Sequence, residues 1–241
     1  MAGRASDPDV WIVIPALDAA NHVGAVVEDC QREGFRGRVI VVDDGSSDPT
    51  FDSAVESGAV TLRHARNRGK GEALRTGFEL ALRERADAVI SMDADGQHVA
   101  SEIPKLQRAW AETDADLVIG SRDHLFAQMV RRRRLANRAS ARLISLCAGV
   151  NVRDSQSGFR LYTRRFLTEV DYRSAGFAAE SEMVVVGGRR GLKIAETPVR
   201  LGFVDGLTTS HYRPVLDSIR ITLSVMSAYL RPGITTDERI S

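Results

Sequence analysis

Two aspartates, Asp93 and Asp95, lie one residue apart at the end of an apolar run in the stretch SMDADGQH. If the chain stays extended there, its two-residue period puts both carboxylates on the same side. Mg²⁺ or Mn²⁺ would relieve their repulsion, because such ions prefer a few carboxylates together with phosphate oxygens and water. Gly96 would let the chain turn so that Gln97 approaches. The spacing predicts a divalent metal that holds a diphosphate; solvated aspartates that cap the next helix are the alternative.

A second acidic group follows another apolar run, in the stretch VVDDGSSD. Asp43 and Asp44 end this run, and Pro15 and Leu17 end a third run nearer the N-terminus. In open α/β sheets, ligands bind beyond the carboxyl ends of the strands. We therefore expect these residues and Asp93 to face one cleft, with Asp43 and Asp44 against a nucleoside. Helix capping is the alternative for such an Asp/Ser cluster.

The elements that must position these residues are alternating strands and helices. Apolar runs rich in β-branched residues predict strands at residues 10–15, 38–43, 60–64, 88–93 and 116–121. The segments between them predict helices at about residues 22–33, 48–57, 70–86 and 101–112. Near-continuous apolar strands separated by helices are typical of a mostly parallel sheet with helices on both faces. The first half is therefore predicted to be a doubly wound α/β unit.

The second half has a different pattern, but no linker, internal repeat or low-complexity tract separates it from the first. We expect a strand in the stretch GFRLYT and an extended segment in LKIAETPVRLGF. Helices are predicted at about residues 132–148, 178–190 and 214–230. The chain is therefore predicted to be a single domain of two lobes, residues 1–120 and residues 121–241.

Charge is unevenly distributed, although the net charge of the 241 residues is only +1. Residues 1–120 contain 13 basic and 21 acidic residues, and residues 121–241 contain 20 and 11, so the halves carry −8 and +9. The basic half is the expected binding region for an anionic partner. No apolar run reaches the roughly 20 residues that cross a bilayer, and no signal peptide is recognisable, so we expect a cytoplasmic protein. Cys30 and Cys147 are expected to be buried free thiols.

A glycine-rich turn precedes the third predicted helix, in the stretch NRGKG. Exposed backbone N–H groups at a helix start can bind a phosphate, and Lys70 can approach the same charge. Leu74 stands where a dinucleotide-binding fingerprint has its third glycine, so an oxidoreductase is the weakest interpretation. Lys70 is predicted to bind a phosphate, with an ordinary helix start as the alternative.

The motifs taken together resemble those of the family 2 glycosyltransferases with the GT-A fold. The resemblance is carried, in chain order, by IVIPALD, VVDDGSSDPT, ARNRGKGEALRTG, SMDADGQH, IGSR, DSQSGFRLY and AAESEM followed by GLKIAETPV. The branch that these motifs most resemble is that of the dolichyl- and polyprenyl-phosphate mannose or glucose synthases. The resemblance implies an inverting transfer from a nucleotide-diphosphate sugar, bound by residues 1–120, to an acceptor bound by residues 121–241. It implies no nucleic-acid partner.

Site roles in the first half follow from this resemblance by position. The metal-binding DxDxQ motif of the family corresponds to Asp93, Asp95 and Gln97, which would hold Mg²⁺ or Mn²⁺. The nucleoside would lie against Pro15, Leu17, Asp43 and Asp44. Where the family usually has Pro-x-Tyr-Asn-Glu, this chain has PALDA, so the nucleobase stays open.

The acceptor side is also assigned by resemblance. Arg122 and Arg134 are expected to receive a phosphate, whereas Asp154, Gln156, Arg160 and Glu180 are expected to lie beside the acceptor. Asp95 and Asp154 are the residues expected to act in the reaction. A hydroxyl acceptor must lose a proton during attack, whereas a phosphate monoester, with a second pKa of about 6, is already anionic. Asp154 or Glu180 would be a base in the first case and would only orient neighbours in the second.

The remaining expectations concern a lid and the membrane. Ser210, His211 and Arg213 stand near the place of a family element that closes over the donor, and an ordinary polar loop is the alternative. Arg138 and Arg142 would line one side of a helix that can rest on anionic headgroups, which predicts a peripheral contact at the inner membrane face. A polyprenyl phosphate is the favoured acceptor. A saccharide or other hydroxyl acceptor, and a non-catalytic nucleotide-binding module, are the alternatives.

Overall fold

The computed structural model describes residues 8–122, 131–202 and 214–231, apart from the side chains of residues 131–138 and 214–220. The described strands are β1 (Val10–Ala16), β2 (Val39–Asp43), β3 (Val60–Arg63), β4 (Ala88–Ser91), β5 (Leu117–Ser121), β6 (Arg160–Thr163) and β7 (Ile194–Pro198). The described α-helices are α1 (Val23–Cys30), α2 (Thr50–Glu56), α3 (Lys70–Arg83), α4 (Ile103–Thr113), α5 (Arg131–Ala148), α6 (Arg164–Glu169), α7 (Ala178–Arg189) and α8 (Pro214–Leu230). A π-helical turn at Gln31–Phe35 extends α1, and a 3₁₀ turn at Ala100–Glu102 precedes α4.

The strands form one mixed sheet in the order β3-β2-β1-β4-β6-β5-β7. β6 is antiparallel to both of its neighbours, and the other described pairs are parallel. The predicted mostly parallel sheet is therefore confirmed. Because β6 comes from the second half of the chain and lies between β4 and β5, the sheet is continuous across both halves. The functional division at residue 120 stays a prediction.

Helices cover both faces of the sheet, as the apolar strands predicted. Ile12 and Ile14 of β1 belong to a core that includes buried residues of α1, α2 and α4. Val13, between them, belongs to a second core with α3, α5, α7 and α8. Alternation along a strand sends successive side chains to opposite faces, so a strand that is apolar throughout needs helices on both sides. Cys30 and Cys147 are buried free thiols within these cores, as predicted.

The direction of β6 determines what lies at the site. Ser91, the last residue of β4, pairs with Arg160, the first residue of β6. The segment before β6 therefore reaches the sheet edge where β4 ends. A hydrogen bond of 2.7 Å from Ser91 Oγ to the carbonyl of Gly158 fixes the two segments together. An antiparallel strand thus brings the stretch DSQSG beside the stretch DADGQ.

Differences from the predicted elements are small. β4 ends two residues earlier than expected, and α6, a helix of six residues, was not predicted. Thr163 caps α6, because its side chain accepts a hydrogen bond from Phe166 N. Among the described residues, no helix is both long enough and apolar enough to pass through a bilayer.

Glu182 of α7 fastens α8 to the rest of the fold. Its buried carboxylate accepts hydrogen bonds from Arg173 N and Ser174 N, each at 2.9 Å, and from Ser224 Oγ at 3.1 Å, and it pairs with Arg231 at 2.7 Å. Burial alone would raise the pKa of Glu182, but hydrogen bonds from Ser174 and Arg173 outweigh it and lower the pKa. The ionised carboxylate is therefore the stabilising form.

Glu182→Gln is expected to lower the free energy of unfolding by about 2 kcal/mol at neutral pH, because hydrogen bonds to a charged group contribute about 1.5–3 kcal/mol. A folded-state pKa below the ordinary value of 4.5 means that this contribution is present above that value and is lost as the pH falls through the folded-state pKa. Urea denaturation should show the difference shrinking in acid. Glu169→Gln, at an exposed ion pair, should change stability by less than about 0.5 kcal/mol. Equal effects of the two substitutions would contradict the assignment.

Candidate functional site

Asp93 and Asp95 lie in a tight turn beyond β4. The turn begins directly after Asp93, so the expectation that an extended chain aligns the two carboxylates is wrong in its geometry. Gly96 has a φ of 75°, a value that favours glycine, and Asp95 Oδ1 accepts a hydrogen bond from Gln97 N at 3.0 Å. The predicted metal ligands are therefore positioned by turn chemistry rather than by strand alternation.

His98 stabilises this turn through a hydrogen bond to its backbone. Asp93 N donates a hydrogen bond to His98 Nδ1 at 3.1 Å, and the imidazole stacks on Phe159, with ring centroids 5.3 Å apart. Burial lowers the pKa of His98, which favours the neutral ring that this hydrogen bond requires. The backbone of Asp93 is thus fixed to the segment before β6.

Lys70, the first residue of α3, joins two carboxylates from distant parts of the chain. Its Nζ lies 2.6 Å from Asp93 Oδ1 and 3.0 Å from Glu180 Oε2. Burial alone would lower the pKa of Lys70, but Asp93 and Glu180 raise it above its ordinary value. Burial alone would likewise raise the pKa of Asp93, whereas Lys70 holds it well below its usual range. Lys70 and Asp93 are therefore both charged at neutral pH.

Asp44 shapes the glycine-rich turn that presents Lys70. Its Oδ1 accepts a hydrogen bond from Arg68 N at 2.9 Å and its Oδ2 accepts one from Gly69 N at 2.7 Å, while His64 Nδ1 lies 2.6 Å away. Gly69 has a φ of 98°, and a Cβ there would lie 2.5 Å from the carbonyl of Ala175. In this structure Asp44 positions the turn, and its contact with a nucleoside stays a prediction.

Asp43 retains one oxygen without a hydrogen bond at the predicted nucleoside side. Its carboxylate is fully buried, and Oδ1 accepts a hydrogen bond from Ser46 N at 2.9 Å. Oδ2 lies 3.1 Å from Arg63 Nε but makes no hydrogen bond. The loops after β1 and β2 are joined beside it, because Asp18 N donates to Ser46 Oγ at 2.9 Å. Pro15, the penultimate residue of β1, leads into this joined pair of loops.

Leu17 is the first residue of the loop after β1 and is half-buried. The loop is anchored to the start of α2, because Ala19 N donates a hydrogen bond to Thr50 Oγ1 at 2.7 Å and Ala20 N donates one to Asp48 Oδ2 at 3.1 Å. Asp48 also accepts a hydrogen bond from Thr50 N at 3.1 Å, whereas Ser47 Oγ donates one to Asp18 Oδ1 at 3.0 Å.

Asp154 is fully engaged with Arg122. Its carboxylate accepts hydrogen bonds from Arg122 N at 2.9 Å, Nε at 2.8 Å and Nη2 at 3.1 Å. Burial alone would raise the pKa of Asp154, but Arg122 outweighs it and lowers the pKa. Glu196 of β7 accepts a hydrogen bond from Asp154 N at 2.9 Å. A carboxylate with this environment is a weak proton acceptor.

Arg160 lies inside the wall of the site rather than on its surface. Its guanidinium is fully buried and donates to the carbonyls of Ser157, Glu180 and Ser155 at 2.6–2.7 Å. It therefore holds the segment before β6 against the first turn of α7. Gln156 is half-buried in that segment.

The structure brings some predicted residues together and leaves others without a described position. Lys70, Asp93 and Glu180 form one ion-pair cluster, and Arg122 is close enough to lower the pKa of Asp93. Arg134 lies on α5, but its side chain is outside the described residues, as are Ser210, His211 and Arg213. Within the described ranges, no three His, Cys, Asp or Glu side chains converge on a single metal position.

Sequence reasoning missed Gly158 as part of the site. A Cβ at that position would lie 2.5 Å from Asp93 Oδ2, so only glycine leaves room for the carboxylate. The glycine in DSQSG was the available signal, but its partner is 65 residues away in the sequence. The anchoring role of Glu196 was also missed, because nothing in an alternating strand marks one glutamate as an acceptor.

Comparisons with known proteins identify the family of this chain. Residues 11–171 match the family model of Glycosyl transferase family 2. An undecaprenyl-phosphate mannosyltransferase from Micrococcus luteus is 33% identical over 172 residues, which cover 67% of this chain and 70% of that protein. A UDP-N-acetylglucosamine–dolichyl-phosphate N-acetylglucosaminyltransferase from Methanococcus voltae is 27% identical over 217 residues, 81% of this chain and 86% of that protein.

A solved structure shares the fold. It is the crystal structure of glucosyl-3-phosphoglycerate synthase from Mycobacterium tuberculosis in complex with Mn²⁺, UDP and phosphoglyceric acid. The TM-score is 0.68 at 22% sequence identity, with 94% of this chain and 80% of that chain covered. The expected GT-A-type fold is therefore confirmed. With the family model matching residues 11–171, the chain belongs to glycosyl transferase family 2.

Proposed function

We propose that this glycosyltransferase moves a sugar from a nucleoside-diphosphate donor to a polyprenyl phosphate, with a divalent metal at the edge of the sheet where β4 ends. The observation that carries the proposal is the pairing of Asp154 with Arg122. It leaves this carboxylate poorly suited to deprotonate a hydroxyl group. A phosphate acceptor, in contrast, needs no base.

The residues at this edge fit a hard divalent cation. Asp93 and Asp95 offer carboxylate oxygens and Gln97 an amide oxygen, which are the ligand types that Mg²⁺ and Mn²⁺ select. Two carboxylates leave positions for diphosphate oxygens and water, so the lack of a three-residue cluster among the described residues is compatible with a metal shared with the donor. When bound, the metal would supply stabilisation of the negative charge that develops on the departing diphosphate.

The donor would lie across the ends of β1, β2 and β4. Asp43 Oδ2, which lies 3.1 Å from Arg63 Nε but makes no hydrogen bond, would accept one from a nucleobase N–H. Pro15 and Leu17 flank Ala16, the residue of β1 that pairs with Asp43. Lys70 has three N–H donors, and two of them face Asp93 and Glu180. The third would donate to the diphosphate.

The acceptor chemistry follows from charge. An oxygen of the acceptor phosphate forms a bond to the anomeric carbon as the bond from that carbon to the diphosphate oxygen breaks, which inverts the configuration. Arg122, held by Asp154 next to the metal turn, would bind the anionic acceptor. The relatives from Micrococcus luteus and Methanococcus voltae are both named for polyprenyl-phosphate acceptors. The acceptor is therefore assigned to the same chemical class.

A membrane-facing surface would give access to such a lipid. Leu223, Met226 and Leu230 form an exposed stripe on α8, with spacings of three and four residues, and α8 packs against α5. On α5, Leu146 is 80% exposed, and the exposed Arg142 lies one turn before it. Apolar side chains next to a basic residue suit an anionic bilayer surface. We propose that these residues form the lipid-facing surface on the inner face of the membrane.

Asp95→Asn is expected to reduce transfer at least about 100-fold, because a metal contributes several kcal/mol to transition-state stabilisation and 1.36 kcal/mol corresponds to tenfold. The same variant should lose Mn²⁺-dependent binding of a nucleoside diphosphate in calorimetry. Asp114→Asn, an equal charge change at an exposed residue, should leave both unchanged. Full metal-dependent binding by Asp95→Asn would exclude this metal site.

Acceptor class can be tested with undecaprenyl phosphate and undecaprenol in the same detergent, together with a soluble saccharide and phosphoglycerate. Label from a panel of nucleotide sugars should enter the lipid fraction with undecaprenyl phosphate alone. Asp154→Asn should raise KM for that acceptor by about tenfold with less change in kcat, because the charge that holds Arg122 is lost.

Two outcomes would contradict this assignment. If the wild type transfers sugar to undecaprenol or saccharide, and Asp154→Asn abolishes that transfer, Asp154 is a base instead. Transfer to phosphoglycerate alone would retain the anionic acceptor and exclude the lipid.

Membrane contact predicts that the protein floats with vesicles containing phosphatidylglycerol more than with vesicles of phosphatidylcholine alone. The double variant Leu223→Glu and Leu230→Glu should reduce flotation about tenfold or more, since two exposed apolar side chains that would enter the bilayer become charged. Val55→Glu is the matched control, because Val55 is 49% exposed on α2, which packs on the other face of the sheet. Equal flotation of all three proteins would rule out this surface.

A further inference from the structure

Lys70 forms an ion pair with Asp93, one of the carboxylates that would bind the proposed metal. Its Nζ lies 2.6 Å from Asp93 Oδ1, a distance typical of a strong charge-assisted contact. Of the 33 basic residues only three are lysine, at positions 70, 105 and 193. A lysine presents a compact point charge on a flexible stem, whereas arginine presents a planar fork. A lysine at position 70 can therefore move away from the carboxylate of Asp93 and keep its contact with that of Glu180.

The two carboxylates that contact Lys70 are not equivalent. The side chain of Glu180 is 5% exposed, its Oε1 has no hydrogen-bond partner, and among the described residues Lys70 is the cation paired with its carboxylate. The side chain of Asp93 is 30% exposed and lies in the turn with Asp95. Leaving Glu180 without a cation would be costly, whereas Asp93 can exchange one cation for another. The contact with Asp93 is the shorter of the two, but it is the one at which another cation can replace Lys70.

The backbone of Lys70 cannot move away to make room. Gly69 is held by Asp44, and close contact between Gly71 and the carbonyl of Ser174 leaves no space even for a Cβ, which would lie 2.3 Å from that oxygen. When Lys70 moves away from Asp93, it therefore does so by rotation of its side chain. Such a rotation keeps Nζ within the same cluster.

We propose that Lys70 is a resident counter-ion of the metal site: it holds Asp93 in the free enzyme and releases it when the metal and the donor diphosphate bind together. A divalent cation alone would have to displace Lys70 and would then repel it. A diphosphate supplies negative charge for both cations, so metal and donor binding are coupled through this side chain. The inference rests on the metal-dependent function proposed above.

Mn²⁺ binding without nucleotide tests the proposal. Electron paramagnetic resonance measures the free aquo ion, so the dissociation constant can be obtained without any turnover. Lys70→Met is expected to bind Mn²⁺ alone at least about tenfold more tightly than the wild type, because the competing charge is gone. Lys70→Arg retains the charge and should bind Mn²⁺ alone as weakly as the wild type. Nucleoside diphosphate should tighten Mn²⁺ binding by the wild type much more than by Lys70→Met.

Lys193→Met is the control for loss of one positive charge. Lys193 directly precedes β7, at the edge of the sheet opposite to the proposed metal site, and it pairs with the exposed Asp114. This variant should bind Mn²⁺ as the wild type does. The counter-ion role of Lys70 would be overturned if Lys70→Met and the wild type had equal affinity for Mn²⁺ alone. It would also be overturned if nucleoside diphosphate tightened Mn²⁺ binding equally in Lys70→Met and Lys70→Arg. Lys70→Gln replaces Lys70→Met if thermal unfolding shows that the latter is not folded. Wild type that binds no Mn²⁺ even with nucleoside diphosphate would refute the metal-dependent function itself.

Discussion

Charge balance at one edge of the sheet is the constraint on which the site depends. Asp93, Asp154 and Glu180 are brought close together within a fold that excludes most of the water around them. Such carboxylates stay ionised only if cations compensate them. Lys70 compensates both Asp93 and Glu180, and Arg122 compensates Asp154. A dication and a diphosphate, with opposite charges, can then enter without leaving the site strongly charged.

The topology of the sheet creates this convergence. β6 enters between β4 and β5 in the antiparallel direction, so the segment that precedes it arrives where β4 ends. Glycine then permits the close packing, since a side chain at Gly158 would collide with Asp93 and one at Gly69 with the backbone of Ala175. The first half contributes the turn after β4 and the helix that begins at Lys70. The second half contributes the partners that neutralise or enclose them.

Most of the fold could be predicted from the sequence, because its strands are apolar throughout and its helices are separated by glycine and proline turns. The acidic strand ends at Asp43 and Asp93 likewise pointed to one edge of a parallel sheet. The contacts within the site could not be predicted. Arg122 and Asp154 are 32 residues apart, and nothing local marks them as partners. The contact of Asp44 with a nucleoside stays a prediction, but the hydrogen bonds that it accepts from Arg68 N and Gly69 N in the turn before α3 were not predicted, because nothing local in the sequence marks them.

A crystal grown with Mn²⁺ and a nucleoside diphosphate, measured at the manganese absorption edge, tests this account most directly. The account predicts one anomalous peak bonded to Asp93 and Asp95 and to the diphosphate, with Lys70 Nζ on Glu180 and no longer on Asp93. A diphosphate bound elsewhere, or bound beside an intact contact between Lys70 and Asp93 with no manganese in the turn, would contradict it.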